Sequence, residues 1–182
     1  MIKRTVRLLE KLGSQCRPFV GLYSAYYRQV VSNEIALADI TAADTVLNIG
    51  CGAIPFTAIL IARLAGASVV AVDRDPRAVA LARGCVKKLG LDHLIRVVHG
   101  DGAEQLPVAF DVAVVALQAE PRAQILSRLM QAQGTRRGRR IVTRVPSGTF
   151  RQQYDPMPSQ YPVAAHVPQG MKTFDRSVLM VA

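Results

Sequence analysis

Five short apolar runs rich in β-branched residues punctuate the chain from Thr45 onward: TVLNIG, SVVAVD, IRVVHG, FDVAVVAL and RIVTRV. Runs of this kind suit strands buried on both faces of a parallel sheet. Helical patterns lie between them. Pro55 to Ala65 carries Phe56, Ile59, Leu60 and Leu64 at helical spacing and ends at Gly66. Asp75-Pro76 reads as an N-cap followed by a proline at the first helical position, opening a helix that runs to Gly90. Pro121 to about Ala132 gives a third helix. This alternation predicts a doubly wound α/β sheet.

The end of the chain breaks the pattern. Pro146, Gly148, Pro156, Pro158 and Pro162 exclude a long helix after Val145. PVAAHV and RSVLMVA then read as two strands joined by PQGMKTFD, a connection too short for a parallel crossover. The expected finish is an antiparallel hairpin. Before the first strand, Leu22 to about Ile40 reads as a helix lying over the carboxyl edge of the sheet. With 182 residues and no convincing boundary, the chain is expected to be one domain, with 1–44 as a helical cover and 45–182 as the core.

Charge and cysteine usage limit the surroundings. The formal net charge is +10, and the excess is concentrated late: residues 134–182 hold eight Arg or Lys against two Asp, while residues 45–133 hold nine against seven acids. A basic last third, with RRGRR at 136–140, suits an anionic partner or a solvated face. Nucleic acid is open as a partner but not favoured. Cys16, Cys51 and Cys85 lack the CxxC spacing of a zinc site, so no metal is expected, and they read as thiols of a reducing compartment. The opening MIKRTVRLLEKLG mixes charge with apolar residues, unlike a signal peptide, and no run reaches the roughly 20 apolar residues of a membrane span. The expectation is a cytoplasmic protein without membrane contact. The amphipathic opening segment leaves a homodimer open.

In doubly wound sheets, ligands bind outside the carboxyl ends of the central strands. The turn GCGAIP after the first strand falls there. Gly50 and Gly52 permit positive φ and remove Cβ, so a ligand can approach the backbone, and the next helix aims its N–H groups at the same space. A dinucleotide site of the G-x-G-x-x-G type would carry a third glycine where this chain has Pro55. Asp73, ending the second strand, can accept both hydrogen bonds of a ribose diol. HGDG brings Asp101 to the same edge, where it can accept from an adenine amino group. ALQAE ends the fourth strand. Capping and ordinary turns explain each acid singly; at successive strand ends they favour a ligand that carries adenosine.

VLNIGCG, VVAVDRD and VVHGDG resemble the class I S-adenosylmethionine-dependent methyltransferases. The resemblance implies a mostly parallel, Rossmann-like seven-stranded sheet with an antiparallel final strand, and S-adenosylmethionine (SAM) as cofactor. It implies SAM contacts from Ile49, Gly50, Cys51 and Gly52, then from Asp73 and Arg74. Gly100, Asp101 and Gly102, with Leu117 and Gln118, would complete the set. The class carries Asp or Glu two residues before the first glycine, where this chain has Asn48, which offers no negative charge to the methionine ammonium. A narrower similarity is to the nicotianamine synthases, which lack that acid. It rests on IGCGAIPFT, DRDPRA, TRVPSGTFRQQYDP and YYRQVVSNEIAL. It makes Glu34 the candidate active-site acid.

SAM is a sulfonium with three carbons open to in-line attack, so the protein's main task is to hold donor and acceptor in line. Glu34, Glu120, Tyr27 and Tyr154 are the candidate catalytic residues. Methyl transfer to a small-molecule acceptor is the expected reaction. Aminocarboxypropyl transfer, RNA methylation and SAM binding without catalysis are the alternatives.

Overall fold

A computed structural model of the chain describes residues 16–132 and 138–182, with side chains from residue 27 onward. The amphipathic opening segment, and Arg136 and Arg137 of RRGRR, lie outside the described residues. In chain order the elements are α1 (Cys16–Leu37), β1 (Thr45–Ile49), α2 (Phe56–Ala65), β2 (Ser68–Asp73), α3 (Pro76–Lys88), β3 (Ile95–His99) and β4 (Val112–Val115). Then come α4 (Arg122–Gln131), β5 (Arg140–Pro146), a 3-10 turn (Gly148–Gln153), β6 (Ala165–Pro168) and β7 (Phe174–Val181). They build one seven-stranded sheet in the order β3-β2-β1-β4-β5-β7-β6. The first five strands run parallel, whereas β7 is antiparallel to both β5 and β6. Strand order reverses between β1 and β4, so the crevice expected of a doubly wound sheet opens above those two strands.

Two apolar layers explain why the central strands read as unbroken apolar runs. Successive side chains of a strand point to opposite faces. Val46, Val69, Ala71, Val114 and Val142 pack with α2, α3 and the end of α1, while Leu47, Ile49, Val70, Val115 and Ile141 pack with α4 and Phe110 on the other face. The helix signals are realised as written: the Asp75 side chain accepts from Arg77 N–H, with Pro76 in the first turn of α3. Helix α1 starts six residues earlier than its apolar pattern suggests, and β6 is four residues long, shorter than PVAAHV. Cys85 departs from the expectation of three free thiols: it is disulfide-bonded, whereas Cys51 is free and buried. Spacing along a chain does not report which thiols are paired.

The loop from α1 into β1 is fixed by Asp44. Its carboxylate accepts from Thr41 N–H at 2.7 Å and Thr41 Oγ1 at 2.9 Å, and pairs with Arg140 at the start of β5. Arg140 also donates to the carbonyls of Ala38 and Asp39, both at 2.8 Å, so one guanidinium closes the end of α1 onto the sheet. Burial alone would raise the Asp44 pKa, but the Thr41 hydrogen bonds and Arg140 outweigh it and hold the pKa below the ordinary value. A depressed carboxylate contributes stability above its unfolded pKa of about 3.9 and loses it as pH falls through the folded value. Asp44→Asn is therefore expected to cost about 1–3 kcal/mol at pH 7. Urea unfolding of both proteins from pH 7 to pH 3 should show that gap closing below about pH 4.

Candidate functional site

Strand β1 delivers its backbone into a turn that is held from below. Gly50 N–H and Cys51 N–H both donate to the Val72 carbonyl, at 2.9 and 3.0 Å. Gly50 has φ +78°, and a Cβ there would stand 3.2 Å from the Cβ atoms of both Ala116 and Ala119. Only glycine fits that conformation and that space together. Gly52 N–H donates to Asp73 Oδ2 at 2.7 Å and Asp75 N–H to Oδ1 at 3.0 Å, which fixes the Asp73 carboxylate beside the turn. Gly102, at the end of β3, lets the chain pass over Ile49: a Cβ would meet two Ile49 side-chain atoms at 2.9 Å. Above these turns lies a cavity of about 560 Å³ that runs from the β2 and β3 ends toward β5.

The far wall of the cavity carries a buried charge pair. Arg144 of β5 donates Nε–H to Glu34 Oε1 and Nη2–H to Glu34 Oε2, both at 2.8 Å, while Ser177 Oγ donates to Oε1 at 2.7 Å. The same guanidinium donates to Tyr27 Oη at 2.9 Å and Thr57 Oγ1 at 3.1 Å. It also lies over the rings of Tyr27 and Phe174. Burial acts to lower the Arg144 pKa, but the Glu34 and Tyr27 contacts raise it well above the usual value. Behind this pair, Gln169 donates to Ser177 Oγ at 3.1 Å and accepts from Asn33 at 3.1 Å, so the network reaches the β6–β7 connection. A second buried cation, Arg122, donates to Leu117 O, Thr143 Oγ1 and Arg144 O below the cavity floor.

Ile49, Gly50, Cys51, Gly52, Asp73, Arg74, Gly100, Asp101, Gly102 and Gln118 all border the cavity, as do Tyr27 and Glu120. Arg74 reaches across the β1 turn and donates to the Glu120 carbonyl at 3.0 Å. Asp101 spends one carboxylate oxygen on Ala103 N–H at 2.8 Å, the local turn role that competes with ligand binding in the sequence. Three expected residues stand off the wall. Leu117 is buried, with its carbonyl serving Arg122; Tyr154 packs beside Val30 and Phe174; Glu34 is fully buried behind Arg144. Asn48 also faces inward, its Nδ2 donating to Val114 O at 3.1 Å. Arg144 and Thr57, which fall within motifs quoted from the sequence but not among its candidate site residues, border the cavity as well. A signal for Arg144 is present in the sequence: a charge inside the apolar run RIVTRV must find a partner when buried.

This glycine turn, the acid that ends β2 and the sheet order define a class: they are those of the class I S-adenosylmethionine-dependent methyltransferases, which the chain resembles. A family model described as methyltransferase small domain matches residues 30–116. More particularly, the chain is similar to nicotianamine synthase, MtNAS. A mutant of it in complex with S-adenosylmethionine is 26% identical, with a TM-score of 0.81 over 99% of this chain and 74% of that one. MtNAS in complex with MTA and tNA is 27% identical, with a TM-score of 0.80 over 96% and 70%. A curated relative, L-histidine 2-aminobutanoyltransferase of Yersinia pestis, is 33% identical over 59% of this chain. The chain spans 40% of that relative's length. Among the described residues no helix is long and apolar enough to cross a membrane.

Cys51 sits in the turn but is not poised as a nucleophile. Burial, and after it the Asp73 charge, push its thiol up to about 12, and Sγ donates to Gly52 O at 3.6 Å. The reactive thiolate therefore appears only as pH rises toward that value. At pH 8, alkylation mapped to Cys51 should be at least about a hundredfold slower in the native protein than in the unfolded chain, whose thiol titrates near 8.5.

Proposed function

We propose that the chain binds SAM in the 560 Å³ cavity and transfers its aminocarboxypropyl group to a nitrogen of a small amino-acid acceptor. The residues fit such a donor. The turn from Gly50 to Gly52 borders the cavity, and Asp73, already fixed by two backbone N–H groups, keeps lone pairs for a ribose diol. The acceptor nitrogen attacks the aminocarboxypropyl carbon, the bond from that carbon to sulfur breaks, and methylthioadenosine leaves with the electron pair. The nitrogen then gives up a proton, and Glu120 on the cavity wall is the proposed carboxylate to receive it. Tyr27 is proposed to border the acceptor, with Glu34 acting through Arg144.

The observation that carries this reading is the agreement in fold with MtNAS over nearly the whole chain. The curated relative's name, a 2-aminobutanoyl transfer to L-histidine, points to the same reaction. Methyl transfer is the second reading, favoured by the family model over residues 30–116. An RNA methyltransferase from Salinibacter ruber in complex with S-adenosyl-L-homocysteine is 22% identical with a TM-score of 0.68, a likeness of fold alone.

The by-product separates the two reactions. Incubation with SAM and a panel of amino acids, followed by mass spectrometry, is expected to yield methylthioadenosine and an amino acid extended by one aminocarboxypropyl unit. S-adenosylhomocysteine instead would replace this reading with methylation. Asp73→Ala removes a charged acceptor, which typically costs about 1.5–3 kcal/mol per hydrogen bond. SAM affinity measured by calorimetry should fall by about tenfold or more.

A further inference from the structure

Arg144 has five N–H donors and the protein uses four of them: Nε–H and one Nη2–H on Glu34, the other Nη2–H on Thr57, and one Nη1–H on Tyr27. The fifth, on Nη1, has no protein acceptor among the described residues. Arg144 borders the cavity and Glu34 does not, so the pair turns its positive end toward the cavity. At the opposite end stand the carboxylates of Asp73 and Asp101. Asn48, in the strand between, supplies no charge and faces the fold interior. A ligand anion in this cavity therefore has one buried cation to meet, already held rigid by four hydrogen bonds. A rigid guanidinium with a remaining donor is suited to a carboxylate.

We infer that the Arg144 edge of the cavity is a carboxylate subsite for an α-amino acid, either the methionine part of SAM or the acceptor. The inference rests on the proposed use of SAM. The positive end of the ion pair attracts the carboxylate, and Thr57 keeps the guanidinium plane in place.

Calorimetry of the wild-type chain with SAM, decarboxylated SAM and methylthioadenosine tests the donor. Decarboxylated SAM is expected to bind about tenfold or more weaker than SAM, the effect of one charge-assisted hydrogen bond. A second arm, with methylthioadenosine present, compares a panel of amino acids with their decarboxylated amines. A tenfold preference there instead assigns the subsite to the acceptor. Arg144→Lys keeps a cation opposite Glu34 but loses the fork. It should retain methylthioadenosine affinity while erasing whichever preference the wild type shows. If that variant does not fold, the wild-type comparisons decide alone. Equal binding within both pairs, with SAM and methylthioadenosine still bound, overturns the subsite and leaves the proposed function standing. Failure to bind SAM and methylthioadenosine alike overturns both.

Discussion

Glu34 and Arg144 bring two full charges to side-chain exposures of 0% and 3%, between a helix that precedes the sheet and a strand near its end. Moving each ion out of water costs several kcal/mol, and their attraction offsets this only if the remaining donors and acceptors are satisfied. Here they are almost fully satisfied. Two parallel hydrogen bonds join the pair, Ser177 completes Oε1, and Thr57 and Tyr27 take further donors from the guanidinium. Those partners come from α1, α2, β5 and β7, so the pair sets how four elements meet. Removing one charge alone would strand the other in the interior, a loss of about 3–5 kcal/mol. An apolar pair of similar volume would hold the elements together as well, but it would leave the β5 side of the cavity without a cation.

The same pair explains how the cavity gets its far side. A doubly wound sheet by itself supplies only the crevice above β1 and β4 and the loops around it. Helix α1 closes the β5 side because Tyr27 and Glu34, two turns apart, both meet Arg144. Arg140, at the start of the same strand as Arg144, fastens the end of α1 through the carbonyls of Ala38 and Asp39. One strand thus grips one helix at two levels through two arginines.

The fold and the glycine-turn end of the cavity were legible because they are written locally. Apolar runs of strand length, Asp75-Pro76 opening α3 and glycines at strand ends each act within a few residues. The parallel order follows from the short helices between strands. The far wall was less legible because its logic is long-range. Glu34 and Arg144 are 110 positions apart, and Ser177 lies 143 from Glu34. Glu34 reads from sequence as an acid for the cavity, and only the packing of α1 on β5 places it behind Arg144. Leu117 and Tyr154 illustrate a smaller uncertainty: a residue next to a wall residue can point away from the wall, as Leu117 does while Gln118 faces out.

Asn48 shows why the charges stand where they do. It lies mid-sheet, paired with Ala71 on one side and Val114 on the other, at 1% exposure. Its Nδ2 is bonded, whereas its Oδ1 has no partner among the described residues. An ionised acid in that place would need a cation, and its burial without one would be costly. An amide leaves a smaller penalty and adds no charge beneath the β1 turn. Charge is left to the two ends: acids beside the turns after β2 and β3, and a paired arginine on β5. A cavity built this way offers charged partners at its two ends and none from the strand between them.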